Sequence, residues 1–137
     1  MLNRILLAAL LLLGASAPAF AQASPKAPLT ASSPTPDDRA RQWLVLVDDQ
    51  NYAQSWSEAA KAFQNRQKTA AWATAATTTR VPLGAVASRN LKSVDLSRGN
   101  TAVIRYDTVF AHKAAAVETV TLGFENGSWS VTDYSVN

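Results

Sequence analysis

The spacing of apolar residues changes once along this chain, at Pro82-Leu83-Gly84, and that change decides the fold class. Before it, apolar residues recur at helical spacing; after it, they alternate with polar ones. Proline removes a backbone donor and clashes with a continuing helix, and the glycine beside it reinforces the stop. A helical half followed by a half of alternating strands predicts segregated layers, an α+β architecture.

The helical half begins at Thr35-Pro36-Asp37-Asp38. Threonine can cap a helix, proline is tolerated in the first turn, and two carboxylates suit the positive end of the helix dipole. Ala40, Trp43, Leu44 and Val47 then form one apolar stripe at i, i+3, i+4 and i+7. Asp48-Asp49-Gln50-Asn51 ends it. A second helix carries Tyr52, Trp56, Ala59, Ala60 and Phe63 on one face, with a polar interruption over 65–68. Thr69 is the expected cap of a third segment, which runs through Trp72 and Ala76 to Arg80; β-branched Thr77, Thr78 and Thr79 weaken its end.

Four strands are expected beyond Gly84, over 86–94, 101–110, 115–124 and 128–136, with a turn at 96–100 and a connector at 111–114. Ala102, Ile104, Tyr106 and Phe110 share one face of the second strand, and Arg105 and Asp107 the other. Val120, Leu122 and Phe124 point inward from the third. Asn126-Gly127 is the strongest hairpin signal, because a type I′ turn needs positive φ at both central residues. The same turn explains the acceptor-like triplet Asn126-Gly127-Ser128 better than glycosylation does. On the last strand, Trp129 and Val131 have opposite parity to Tyr134 and Val136; a bulge near Thr132-Asp133 would turn all four inward. The expected domain, 37–137, is therefore α+β, with N-terminal helices packed on a curved four-stranded antiparallel sheet.

The chain's start reads as an export leader over 1–21. Arg4 supplies the positive region, 5–13 an uncharged apolar run, and Ala19-Phe20-Ala21 a small-x-small site, with cleavage between Ala21 and Gln22. The apolar run is short for a membrane span. Residues 22–36, rich in proline, alanine and serine, read as a spacer without packing periodicity. The expected location is periplasmic or secreted. The chain holds no cysteine, which excludes disulfides, thiol chemistry and a lipid-modified cysteine, so no membrane anchoring is expected after cleavage.

The net charge is +3, and the basic residues are dispersed among acids, so no nucleic-acid partner is expected. His112 is the single histidine, and without cysteine or a second histidine no zinc site is expected. No G-x-S-x-G, P-loop or G-x-G-x-x-G occurs, since the five glycines are isolated. The acidic pairs Asp37-Asp38 and Asp48-Asp49 do not converge, because neighbours on a helix diverge by about 100°. The first pair suits a helix start. The second stands at the unfavourable end of its helix, and Asp48 is expected to face solvent from a loop. Tyr106 is the most telling polar group of the inner sheet face; beside a carboxylate, such a phenol can act as in ketosteroid isomerase, and otherwise it is a core tyrosine with one partner. Arg89 is placed to pair with Asp107 or Glu118 across the sheet. The four tryptophans suit a large core or a ligand cavity.

The run W-L-x-L-V-D at Trp43 to Asp48, S-W-x-x-A-A at Ser55 to Ala60 and R-x-P-L-G at Arg80 to Gly84 resembles a bacterial family known as domain of unknown function 4019. Tyr52, Phe63, Trp72, Arg89, Leu91, Tyr106, Thr108, Phe110, Glu118, Trp129, Val131 and Tyr134 extend the resemblance over about 38–137. It implies an exported α+β module related to cystatin-like and nuclear-transport-factor-2-like cones. That fold hosts enzymes and binding modules alike, so it does not fix a function. The expected function is a non-enzymatic binding or interaction module for an unknown protein or small apolar ligand, without cofactor, metal or catalytic residues. Trp43, Asp48, Trp56, Tyr106, Phe110 and Trp129 are the expected pocket. The alternatives are a small enzyme with a ketosteroid-isomerase-like cavity, and an envelope structural component or homodimer.

Overall fold

The computed structural model describes residues 32–137. The leader, the Ala21/Gln22 cleavage and most of the spacer lie outside the described residues. The elements are α1 (Pro36–Asp48), α2 (Tyr52–Glu58), α3 (Lys61–Arg66), α4 (Thr69–Arg80), a single 3-10 turn (Val81–Leu83), then β1 (Val86–Asp95), β2 (Thr101–Phe110), β3 (Lys113–Glu125) and β4 (Ser128–Val136). The strands form one antiparallel sheet in the order β1-β2-β3-β4. The protein is α+β, with its helices packed on the sheet.

A reciprocal capping box starts α1. Asp38 N–H donates to Thr35 Oγ1 at 3.1 Å, and Thr35 N–H donates to Asp38 Oδ2 at 2.9 Å. These bonds satisfy donors that a bare helix end would leave open. Thr35→Ala is expected to cost about 1 kcal/mol, read as a lower midpoint in urea at unchanged slope. An unchanged midpoint would show that the box adds nothing. Ala40, Trp43, Leu44 and Val47 are the buried face of α1, as their spacing predicts.

The second expected helix is two helices. The chain is extended at Ala59 and Ala60, with ψ near 163° and 154°. Alanine favours helix, so the break has a tertiary cause. Ala60 N–H donates to the Val131 carbonyl of β4 at 2.8 Å. Gln64 Nε2 lies 3.1 Å from the carbonyls of Trp56, Ser57 and Ala59 around the helix end, the first of which also accepts the Ala59 N–H. Thr69 is the first residue of α4 and does not cap it; Lys68 holds that position without a side-chain bond.

Most strand limits fall where the alternation places them. The connector between β2 and β3 is shorter than expected, leaving Ala111 and His112 outside the strands. Gly84 fits here because its φ is +76° and a Cβ would lie 2.8 Å from His112 Cδ2. Asn126 and Gly127 adopt φ of 52° and 79°. Thr121 pairs with Asp133 and Leu122 with Val131, so Thr132 is the extra residue of a bulge. Phe124 differs from expectation: it is 39% exposed, tilted against Trp129 at 5.1 Å between ring centres near the hairpin tip.

The core lies between sheet and helices. Ala102, Ile104, Val120, Leu122 and Val131 meet Leu44, Val47 and an aromatic centre. Trp72 stands edge-on to Phe63 at 5.0 Å, and Trp43 lies 5.7 Å from Trp72 and 5.5 Å from Tyr134.

Candidate functional site

The inner face of the sheet carries a buried charged cluster beside this core. Each strand supplies one member: Arg89 from β1, Thr108 from β2, Glu118 from β3 and Tyr134 from β4. The helices add Asp48, the last residue of α1, and Arg80, the last of α4. Glu118 is fully buried. Its Oε1 accepts from Arg89 Nε and Thr108 Oγ1, both at 2.7 Å, and its Oε2 accepts from the Tyr134 hydroxyl at 2.6 Å. Arg80 Nη1 donates to that hydroxyl at 3.2 Å and lies 3.7 Å from Oε2.

Asp48 joins the two arginines. Arg89 donates to both its oxygens, at 2.7 and 3.0 Å, and Arg80 Nη2 donates to Oδ1 at 2.6 Å. The solvated loop position expected for Asp48 is therefore incorrect: two guanidinium groups hold it half-buried. Arg89 does reach Glu118, whereas Asp107 pairs with Lys92 on the exposed side. That bridge is buried, unlike the weak surface pair that a sheet location alone suggests. Two carboxylates oppose two guanidinium groups, so the cluster is neutral inside the protein.

Burial pushes the Asp48 carboxyl up, but the hydrogen bonds from Arg89 and Arg80 outweigh it and hold the group below its ordinary 3.8. The phenol of Tyr134 is pushed well above 10.0 by burial and then by Glu118, and that of Tyr106 by burial and then by Asp37. The contribution of Asp48 is complete above its unfolded value and is lost as pH falls through the folded one. That of the tyrosines is complete below about 10 and is lost as pH rises. Stability is thus expected to be flat from about pH 5 to 9 and to fall on both sides. Denaturant melts across pH should show a shallower acid limb in Asp48→Asn; an identical limb would place the titration elsewhere.

The six expected pocket residues do not converge. Trp43 is core, and its indole donates to the Ser55 carbonyl at 2.8 Å. Trp56 donates to the Gln67 carbonyl at the helix edge. Phe110 lies beneath Arg80, whose guanidinium carbon is 5.0 Å from the ring centre. Tyr106 is buried and donates to Asp37 Oδ1 at 2.6 Å, with Arg41 on the same carboxylate. It therefore meets the helix-start carboxylate and not Asp48. Asp48 faces an open cleft of about 420 Å³ with Val47, Tyr52, Arg80 and Val86. Trp43 and Trp129 share a second cleft of about 380 Å³ with Arg39, Gln42, Glu58 and Ser130.

Residues 39–134 match the family described as protein of unknown function, DUF4019. The chain belongs to that family. The match takes in the whole charged cluster and both clefts' helical and strand walls, but not Asp37, the partner of Tyr106. No curated protein matches this DUF4019 chain. Among its described residues no helix is long and apolar enough to cross a membrane, and no three His, Asp or Glu side chains group as a metal site.

Sequence reasoning missed Arg80, Thr108 and Tyr134 as partners of one carboxylate. Glu118 itself carried a signal, since it shares the parity of Val120 and Leu122 and so had to point inward. An inward carboxylate demands a compensating cation.

Proposed function

We propose that this DUF4019 domain acts outside the cytoplasm, in the periplasm or secreted, as a non-enzymatic binding module. The observation that carries the reading is a division of labour. The groups with acid–base capacity are each held by a partner inside the fold: Asp48 and Glu118 by arginines, Tyr134 by Glu118, and Tyr106 by Asp37. The cleft walled by Trp129 keeps polar groups that face solvent. A general base needs a pKa near the working pH, and the two guanidinium groups hold Asp48 below the ordinary carboxylate range. Export rests on the leader at 1–21. The order of helices and then a meander supports kinship with cystatin-like cones.

The test uses protein recovered from its native host. Mass analysis is expected to find Gln22 at the N-terminus, and native mass spectrometry with thermal shifts is expected to find a stoichiometric ligand. Turnover of a small substrate that Tyr106→Phe abolishes would overturn the binding reading, and an intact Met1 would overturn export. One further observation favours a second reading, a homodimer. Leu91 and Val94 pair with inward residues of β2 yet stand 44% and 41% exposed on the edge strand, near exposed Leu96. Light scattering at two concentrations decides it: a constant monomer mass excludes the dimer.

A further inference from the structure

We propose that the cleft between the first half of α1 and the start of β4 is a saccharide site, where one pyranose ring packs against Trp129. The proposal deepens the binding-module reading and rests on it. Its starting point is a difference among the tryptophans. Trp43 donates its indole N–H to the Ser55 carbonyl, Trp56 to the Gln67 carbonyl, and Trp72 to Ser55 Oγ at 2.9 Å. Trp129 alone has no indole partner among the described residues, and it is half-buried in a cleft wall. Its ring is nonetheless held, tilted against Phe124, packed on the edge of the core and carried by a strand that leaves the tight Asn126-Gly127 turn. A held aromatic face in a cleft wall, with its N–H free, is a natural platform for a ligand.

The rest of the lining specifies the ligand class. Arg39, Gln42 and Glu58 bring a guanidinium, an amide and a carboxylate, and Ser130 adds a hydroxyl. Arg39 spends one N–H on Gln42 Oε1, and that at 3.5 Å. Glu58 accepts from Gln54 through Oε1, which leaves Oε2 free. Planar groups with paired donors or acceptors suit the adjacent hydroxyls around a sugar ring. The C–H groups on the flat side of a pyranose are slightly positive and pack on the negative face of an indole. Arg39 and Glu58 balance in charge, so the cleft favours neither sign of ion, while a neutral polyol can accept from the one and donate to the other. The volume of about 380 Å³ suits a small molecule.

The experiment is a titration of the ¹⁵N-labelled protein with cellotriose and with maltotriose, with glycine and acetate as comparators, followed by NMR. The Trp129 indole resonance is expected to move and saturate together with the amides of Arg39, Glu58 and Ser130. The indole resonances of Trp56 and Trp72, which do not line the cleft and are bonded inside the fold, are expected to stay. Glu58 is exposed, so Glu58→Gln should fold normally and weaken binding by about tenfold, while Trp129→Ala should abolish it. Absence of any Trp129 shift at tens of millimolar saccharide overturns the proposal, as does saturation by glycine or acetate without saccharide. If a native ligand is still found by mass spectrometry in that case, the saccharide assignment fails and the binding-module reading stands; if none is found, both fail.

Discussion

Glu118→Ala is expected to lower the stability of the domain by about 3–5 kcal/mol, a large share of what a domain of this size has. The carboxylate sits fully buried with Arg89, Arg80, Thr108 and Tyr134 arranged around it. Removing it leaves a guanidinium charge uncompensated in a low-dielectric interior and two hydroxyls without an acceptor. In thermal melts the loss corresponds to a drop of roughly 15–25 °C. The cause is separable from lost packing. In Glu118→Leu with Arg89→Met, one charge of each sign leaves together, and Asp48 and Arg80 still balance. This double variant is expected to be clearly more stable than Glu118→Ala, because removing a buried pair as a unit costs far less than orphaning one member. A single variant that loses less than about 1 kcal/mol would show that the cluster reaches enough water to be screened.

The same cluster marks the limit of what could be read from the sequence. Local rules were enough for the Asn126-Gly127 turn, the Thr132 bulge, the buried stripe of α1 and the limits of β2, because each depends on backbone chemistry or periodicity within a few residues. The split at Ala59-Ala60 was not legible, since alanine prefers helix and the Val131 carbonyl that ends it comes from another part of the chain. Phe124 obeyed the alternation of β3 but lies near the hairpin tip, and alternation does not encode where the helical layer stops. Asp48 and Arg89 are far apart in sequence and meet only after helix and sheet have packed. Its helix-end position, unfavourable for a carboxylate, was the one local hint that Asp48 had a tertiary partner. The pocket residues scattered for a related reason: aromatic content in a small domain does not distinguish rings that fill a core from a ring that faces a cleft.

Stability measurements can make that distinction. Trp43→Ala is expected to cost about 3–5 kcal/mol, and Trp129→Ala about 1 kcal/mol or less. Trp43 is buried against Phe63, Trp72 and Tyr134, so its removal opens a cavity that the surrounding rings cannot close. It also orphans the carbonyl of Ser55, a buried residue whose only other link to the tryptophans is Oγ, bonded by Trp72. Trp43→Phe should fall between, since it refills much of the volume but still leaves that carbonyl unpaired. Trp129→Ala gives up its contact with Phe124 and the packing of a half-buried ring against the edge of the core, but it opens no enclosed cavity and orphans no buried polar group. Urea melts followed by circular dichroism avoid the change in fluorescence that each substitution brings, and an unchanged slope would show that the extent of unfolding is the same. If Trp129→Ala proved as damaging as Trp43→Ala, its ring would be part of the fold's support. A large aromatic residue whose removal costs the fold little is one whose position is explained by something outside the fold, and the polar cleft in front of Trp129 is where that partner would sit.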